Sequence, residues 1–111
     1  MSCLSKQHRL NSKKDFNELY KSGKKWHTDS FVAFYKPAQE TYAAFVTSKR
    51  VGNAVHRNRA RRRLRALFLS YENKTLTGKY IFVAKDKIHE NDFAKLKKDF
   101  QFAFKRLELL K

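Results

Sequence analysis

Acid is scarce in this chain. It has ten Asp and Glu residues against 26 Lys and Arg, a net charge of +16 over 111 residues. The few acids are scattered, and no Asp, Glu and His residues fall at metal-ligand spacing. A protein nuclease that cleaves on its own needs clustered carboxylates for metal ions, or a His–His or His–Lys pair for proton transfer. His8, His27, His56 and His89 are isolated in the sequence, so a self-sufficient nuclease is disfavoured. The single cysteine, Cys3, excludes an internal disulfide framework or a cysteine zinc site and fits a reducing, cytoplasmic setting. No apolar run is long enough for a signal peptide or a membrane span. With three glycines there is no P-loop and no dinucleotide fingerprint, and Gly52 alone signals only a turn.

Aromatic residues make up 14% of the chain and ten are Phe, so this is not a disordered basic tail. The length suits a single domain, residues 1–111, with a small core. The charge calls for a polyanionic partner, either nucleic acid or an anionic membrane surface.

That charge is concentrated in Lys49 to Arg65, KRVGNAVHRNRARRRLR, with eight Lys or Arg and no acid between Glu40 and Glu72. The run is an amphipathic helix from about Asn53, a candidate N-cap, to Tyr71. Ala60, Leu64, Leu67, Phe68 and Tyr71 recur at core-facing spacing. Asn58, Arg59, Arg62 and Arg65 fall opposite, and Arg61 and Arg63 lie at the edges. A solvated face usually mixes charge signs in i,i+4 pairs, and this one does not. Arginine's planar fork holds a phosphate bidentately, so the pattern reads as a phosphate-tracking face. Its apolar stripe is sized to dock on a sheet rather than to lie in a membrane.

Ser12 precedes a short helix, Lys13 to Lys21, with Gly23 as its stop. Phe16 and Tyr20, four apart among lysines, are candidates for stacking on unpaired bases as well as for packing. A short strand is expected around Trp26. Phe31 to Lys36 is a strand with apolar residues on both faces, ended by Pro37, with Tyr42 to Ser48 expected as its hairpin partner. Tyr80 to Ala84 is apolar throughout and expected to be covered on both faces. A last helix runs from Asn91, expected as its cap, with Phe93, Leu96, Phe100, Phe104 and Leu107 at core spacing. The order helix, strands, helix, strand, helix is an α+β sandwich.

Val51–Gly52–Asn53–Ala54–Val55, followed by Arg57–Asn58–Arg59 and Arg61–Arg62–Arg63–Leu64–Arg65, closely resembles the protein subunit of bacterial ribonuclease P. The resemblance covers nearly the whole chain, from Arg9–Leu10 to the closing helix. It implies an αβββαβα fold like the second domain of ribosomal protein S5. That fold has a small mixed four-stranded sheet and a left-handed β–α–β crossover around the arginine helix, against the usual right-handed rule. It implies a monomeric protein in a one-to-one ribonucleoprotein. There a catalytic RNA subunit with Mg2+ cleaves precursor tRNA at the mature 5′ end, which explains a binding chain without catalytic groups. RNA is the implied partner, not DNA or membrane. By position, Lys49, Arg50, Asn53, Arg57, Asn58, Arg59, Arg61, Arg62 and Arg65 match the catalytic-RNA face, with any metal proximity near Asn58. Phe16, Tyr20 and Phe34 match the cleft that grips the 5′ leader. Position 20 is Tyr where Phe is common, and position 34 is Phe where Tyr occurs. The alternative class is a ribosomal-type structural RNA-binding protein.

Overall fold

The computed structural model describes residues 13–71 and 74–110, with Lys49 by its backbone alone. Cys3, His8, Arg9–Leu10 and the Ser12 cap therefore lie outside the described residues. The elements in chain order are α1 (Lys13–Ser22), β1 (Lys24–His27), β2 (Phe31–Pro37), β3 (Tyr42–Val46), α2 (Ala54–Tyr71), β4 (Gly78–Ala84) and α3 (Phe93–Arg106). Single 3-10 turns at Lys49–Val51 and Asp86–His89 flank α2 and β4. Three helices and one mixed sheet give the α+β class, in the order αβββαβα.

The sheet order is β1-β2-β4-β3. The β2–β3 hairpin expected from the sequence is absent, because β4 is inserted between the two strands. Strand β4 runs antiparallel to β2, with Phe31 opposite Ala84 and Tyr35 opposite Tyr80. It runs parallel to β3, with Ala43 opposite Tyr80 and Phe45 opposite Phe82. Instead β1 is the antiparallel neighbour of β2, with Trp26 opposite Ala33. The cause is burial. The apolar run of β4 hides most completely in the centre, and Tyr80, Ile81 and Phe82 are at most 1% exposed there. Parallel neighbours need a long crossover, and β3–α2–β4 supplies it.

One sheet face carries Phe31, Ala33, Tyr35, Ala43, Tyr80 and Phe82, all buried beneath α2 and α3. The expected stripe of α2 is the part that packs: Ala60, Leu64, Leu67, Phe68 and Tyr71 are buried. Truncating Leu64 or Phe68 to Ala would cost about 2–5 kcal/mol. On α3 the same face is Leu96, Phe100, Ala103 and Phe104. Phe93, expected in the core, is 49% exposed, at the first position of α3 and beyond the buried stretch of its face. Asp92, not Asn91, is the N-cap and accepts from the Lys95 backbone N–H at 2.8 Å. Asn91 instead donates through Nδ2 to Ser30 Oγ.

The second face is covered only in part. Helix α1 crosses it, burying Leu19 against Ile81. Gly23 N–H donates to Leu19 O at 3.0 Å and ends the helix as expected. Beyond α1, Phe34, Val46 and Val83 remain partly exposed.

Candidate nucleic-acid interface

Among the described residues, the second face is only half covered beside α1, and three aromatic residues meet there. Phe16 and Tyr20 lie one helical turn apart, ring centroids 6.1 Å. Tyr20 meets Phe34 of β2 edge-on, centroids 4.9 Å and planes at 80°. The three aromatic residues matched to the cleft therefore form one chain from helix to sheet. Tyr20 is 43% exposed, and burial of the remainder pushes its phenol above the ordinary value. The acids beside the cleft are engaged. Asp15 accepts from Lys79 Nζ at 2.7 Å, Glu18 pairs with Lys36, and Glu40 accepts from the Tyr42 hydroxyl. Asp15 and Glu18 of α1 are thus neutralised by lysines, while Glu40 keeps its charge.

The arginine helix lies on the opposite sheet face. Asn53 caps it, accepting from the His56 backbone N–H at 3.1 Å, while Arg57 N–H donates to Asn53 O. Gly52, just before the cap, has φ +132°, and a Cβ there would lie 2.9 Å from the His56 ring. Glycine is needed at that turn. Among the described residues, no α2 arginine has a carboxylate within ion-pair distance.

The arginines form two flanks rather than one face. Asn58, Arg61, Arg62 and Arg65 line a hollow of about 380 Å3 on the β3 side. Arg61 donates to Thr47 Oγ1 at 2.9 Å and also to Asn58 Oδ1. Arg65 is not fully outward as its helical angle implied. It is half-buried, its guanidinium 5.9 Å from the Phe45 ring centre. On the other flank, Arg59 and Arg63 line a hollow of about 490 Å3 with His89, Glu90, Asp92 and Phe93. Arg63 is a tether here, with Nη1 donating to Ile88 O at 3.0 Å and Nη2 to Asn91 O at 2.6 Å. Burial, then the neighbouring Arg59 charge, lower its pKa. Arg57 is half-buried, and Asn58, Arg59 and Arg62 are exposed. The Lys49 side chain lies outside the described residues.

The histidines are less isolated than the sequence implied. The His56 and His89 rings are 4.9 Å apart, and His89 Nε2 is 2.7 Å from Val51 O. A further basic group was missed. Arg50, Lys85 and Lys87 share a hollow of about 460 Å3 with Ser48, Asp29 and Asp86. The sequence held no signal for it, because Arg50 lies more than thirty positions from the two lysines. Among the described residues no group of three or more His, Cys, Asp or Glu is placed to hold a metal ion. Asn58 sits among guanidiniums, an environment for anions. The described residues around Asn58 therefore do not fit a protein-held divalent cation.

The family model described as Ribonuclease P matches residues 4–108. The chain belongs to the ribonuclease P protein family. It is 40% identical over 99 residues to the ribonuclease P protein component of a Nitratiruptor species, covering 89% of this chain and 91% of that protein. It is 33% identical over 107 residues to the component of Bacillus pumilus, covering 93% and 90%. The ribonuclease P protein structure from Staphylococcus aureus superposes with TM-score 0.84 at 21% identity, over 94% of this chain and 98% of that one. That from Thermotoga maritima gives 0.77 at 21%, over 88% and 96%. These ribonuclease P proteins share its fold. Among the described residues no helix is long and apolar enough to cross a membrane.

Proposed function

We propose that this chain is the protein subunit of a ribonuclease P ribonucleoprotein, which cleaves precursor tRNA to free the mature 5′ end. The observation that carries this is the pairing of two surfaces on one sheet. An arginine helix with no carboxylate partner among the described residues covers one face, and an aromatic cleft whose acids are engaged lies on the other. The arginines neutralise crowded phosphates where catalytic RNA and substrate converge, and salt-dependent affinity follows. Phe16, Tyr20 and Phe34 grip the single-stranded leader by stacking, with little reading of sequence. Both contributions are positioning, which lowers the barrier by holding the scissile bond in place. The magnesium ions that the family implies belong to the RNA, where they would activate the attacking water. The chain's own part is to bind, orient and neutralise. It works in the cytoplasm, one protein per RNA.

Reconstitution tests this. The purified chain, a bacterial ribonuclease P RNA and a labelled precursor tRNA should together give 5′ cleavage at a magnesium concentration where the RNA alone is slow. No stimulation, with co-purification on ribosomal subunits instead, would favour the ribosomal-type reading.

A further inference from the structure

Neither surface above explains the far edge of the sheet. There Trp26 of β1 lies against Phe102 of α3, ring centroids 5.9 Å apart and planes at 55°. The Arg106 guanidinium lies over both rings, 5.0 Å from Phe102 and 5.8 Å from Trp26. Phe102 is 48% exposed. An aromatic ring on the solvent side of a lysine-rich helix wastes apolar burial unless something covers it. Lys98, Phe102 and Arg106 follow at i, i+4 and i+8 on α3, so they form one stripe. Lys24 is on the same face of β1 as Trp26, two positions away. Among the described residues none of Lys24, Lys98, Lys105 and Arg106 has a carboxylate within ion-pair distance. The nearby Asp99 is 7% exposed and already holds Lys95 Nζ at 2.9 Å and the Ser30 hydroxyl at 2.9 Å. Among the described residues strand β1 is an edge, bonded only to β2.

We propose that Trp26, Phe102 and Arg106 form a third nucleic-acid contact, a stacking platform for unpaired bases of RNA flanked by the lysines of α3 and β1. Charge selects the occupant. Two rings capped by a cation, with unpaired lysines around them, match a strand whose bases have π-faces and whose backbone is anionic. A second copy of the chain would bring the same unpaired cations against these, so self-association is opposed. The platform lies at the β1 edge, while the arginine hollow lies over the β3 edge, so RNA bound here leaves both earlier surfaces free. The platform shares no residue with the cleft and stands whether or not the cleft holds a leader.

Trp26 is the sole tryptophan and reports on this site alone. Titrating the full chain with a short oligoadenylate should quench its emission, with a midpoint that rises with salt. Phe102→Ala should weaken that midpoint about tenfold, the loss of one stacking ring, and Arg106→Gln should weaken it less. Both substituted residues are exposed, so melting temperatures should hold. Three results would overturn the proposal. The first is oligoadenylate binding, seen by anisotropy, without any change in Trp26 emission. The second is equal quenching by inorganic polyphosphate, which has no bases. The third is quenching that tracks protein concentration without RNA, together with a dimer in sedimentation.

Discussion

The guanidinium of Arg65 sits over the ring of Phe45, 5.9 Å from its centre, while its Nε is buried with no hydrogen-bond partner among the described residues. A buried unpaired donor costs about 1–3 kcal/mol, and an anion in the adjoining hollow would relieve it. The stack fixes the fork so that it faces Asn58, Arg61 and Arg62 across that hollow. Arg65→Lys keeps the charge and loses the plane. It should weaken binding of the catalytic RNA by about 1 kcal/mol, roughly fivefold. Filter binding beside thermal melting checks this, and an affinity equal to wild type would show the stack to be irrelevant.

Arg63 and Arg62 are neighbours with opposite jobs. Arg63 bridges α2 to the segment before α3 through the carbonyls of Ile88 and Asn91. Arg63→Ala strands both carbonyls and should cost about 1–3 kcal/mol of folding stability. Arg62→Ala, at an exposed site, should leave stability within about 0.5 kcal/mol. Urea unfolding of the two variants decides it, and equal midpoints would contradict the tether.

In the cleft, Phe16→Ala removes one ring from the Phe16–Tyr20–Phe34 chain. Precursor tRNA binding by the reconstituted enzyme should weaken by about 1–3 kcal/mol, and mature tRNA binding should not change. Equal losses for both ligands would remove the leader from this cleft.

The ion pairs that hold α1 on the sheet set a pH window. Hydrogen bonding to Lys36, and then its charge, hold the Glu18 carboxyl below its ordinary value of 4.5. A lowered folded pKa gives stability that is present above that ordinary value and is lost as pH falls through the folded one. The hydrogen bond to Asp15 raises Lys79 above its ordinary 10.5, so its contribution is present below that value and lost as pH rises through the folded one. Wild type should therefore lose melting temperature below about pH 4.5 more steeply than Glu18→Gln. Parallel acid profiles for the two would show that the pair does not matter.

Much of this was legible in the sequence because it is periodic or local. The stripe of α2, the Asn53 cap and the Gly23 stop each follow from spacing within one turn. The strand order was not legible. A proline-ended strand followed by a turn reads as a hairpin, and only the demand of β4 for cover on both sides opens it. The exposure of Phe93 was hidden because spacing gives the face of a helix but not where the core beneath it ends. The split of the arginines was hidden because helical angle does not reveal what lies beside the helix. Thr47 and Phe45 draw Arg61 and Arg65 to one flank, and the Ile88 and Asn91 carbonyls draw Arg63 to the other.

The central claim is that outward guanidiniums of α2, unpaired with any carboxylate among the described residues, neutralise RNA phosphates. The salt dependence of catalytic-RNA binding measures this most directly, for wild type and for Arg59→Ala and Arg62→Ala. Each variant should lower the slope of log K against log salt by about one, keep its melting temperature and slow precursor cleavage at low magnesium. Unchanged slopes, with cleavage at low magnesium as in wild type, would contradict the account.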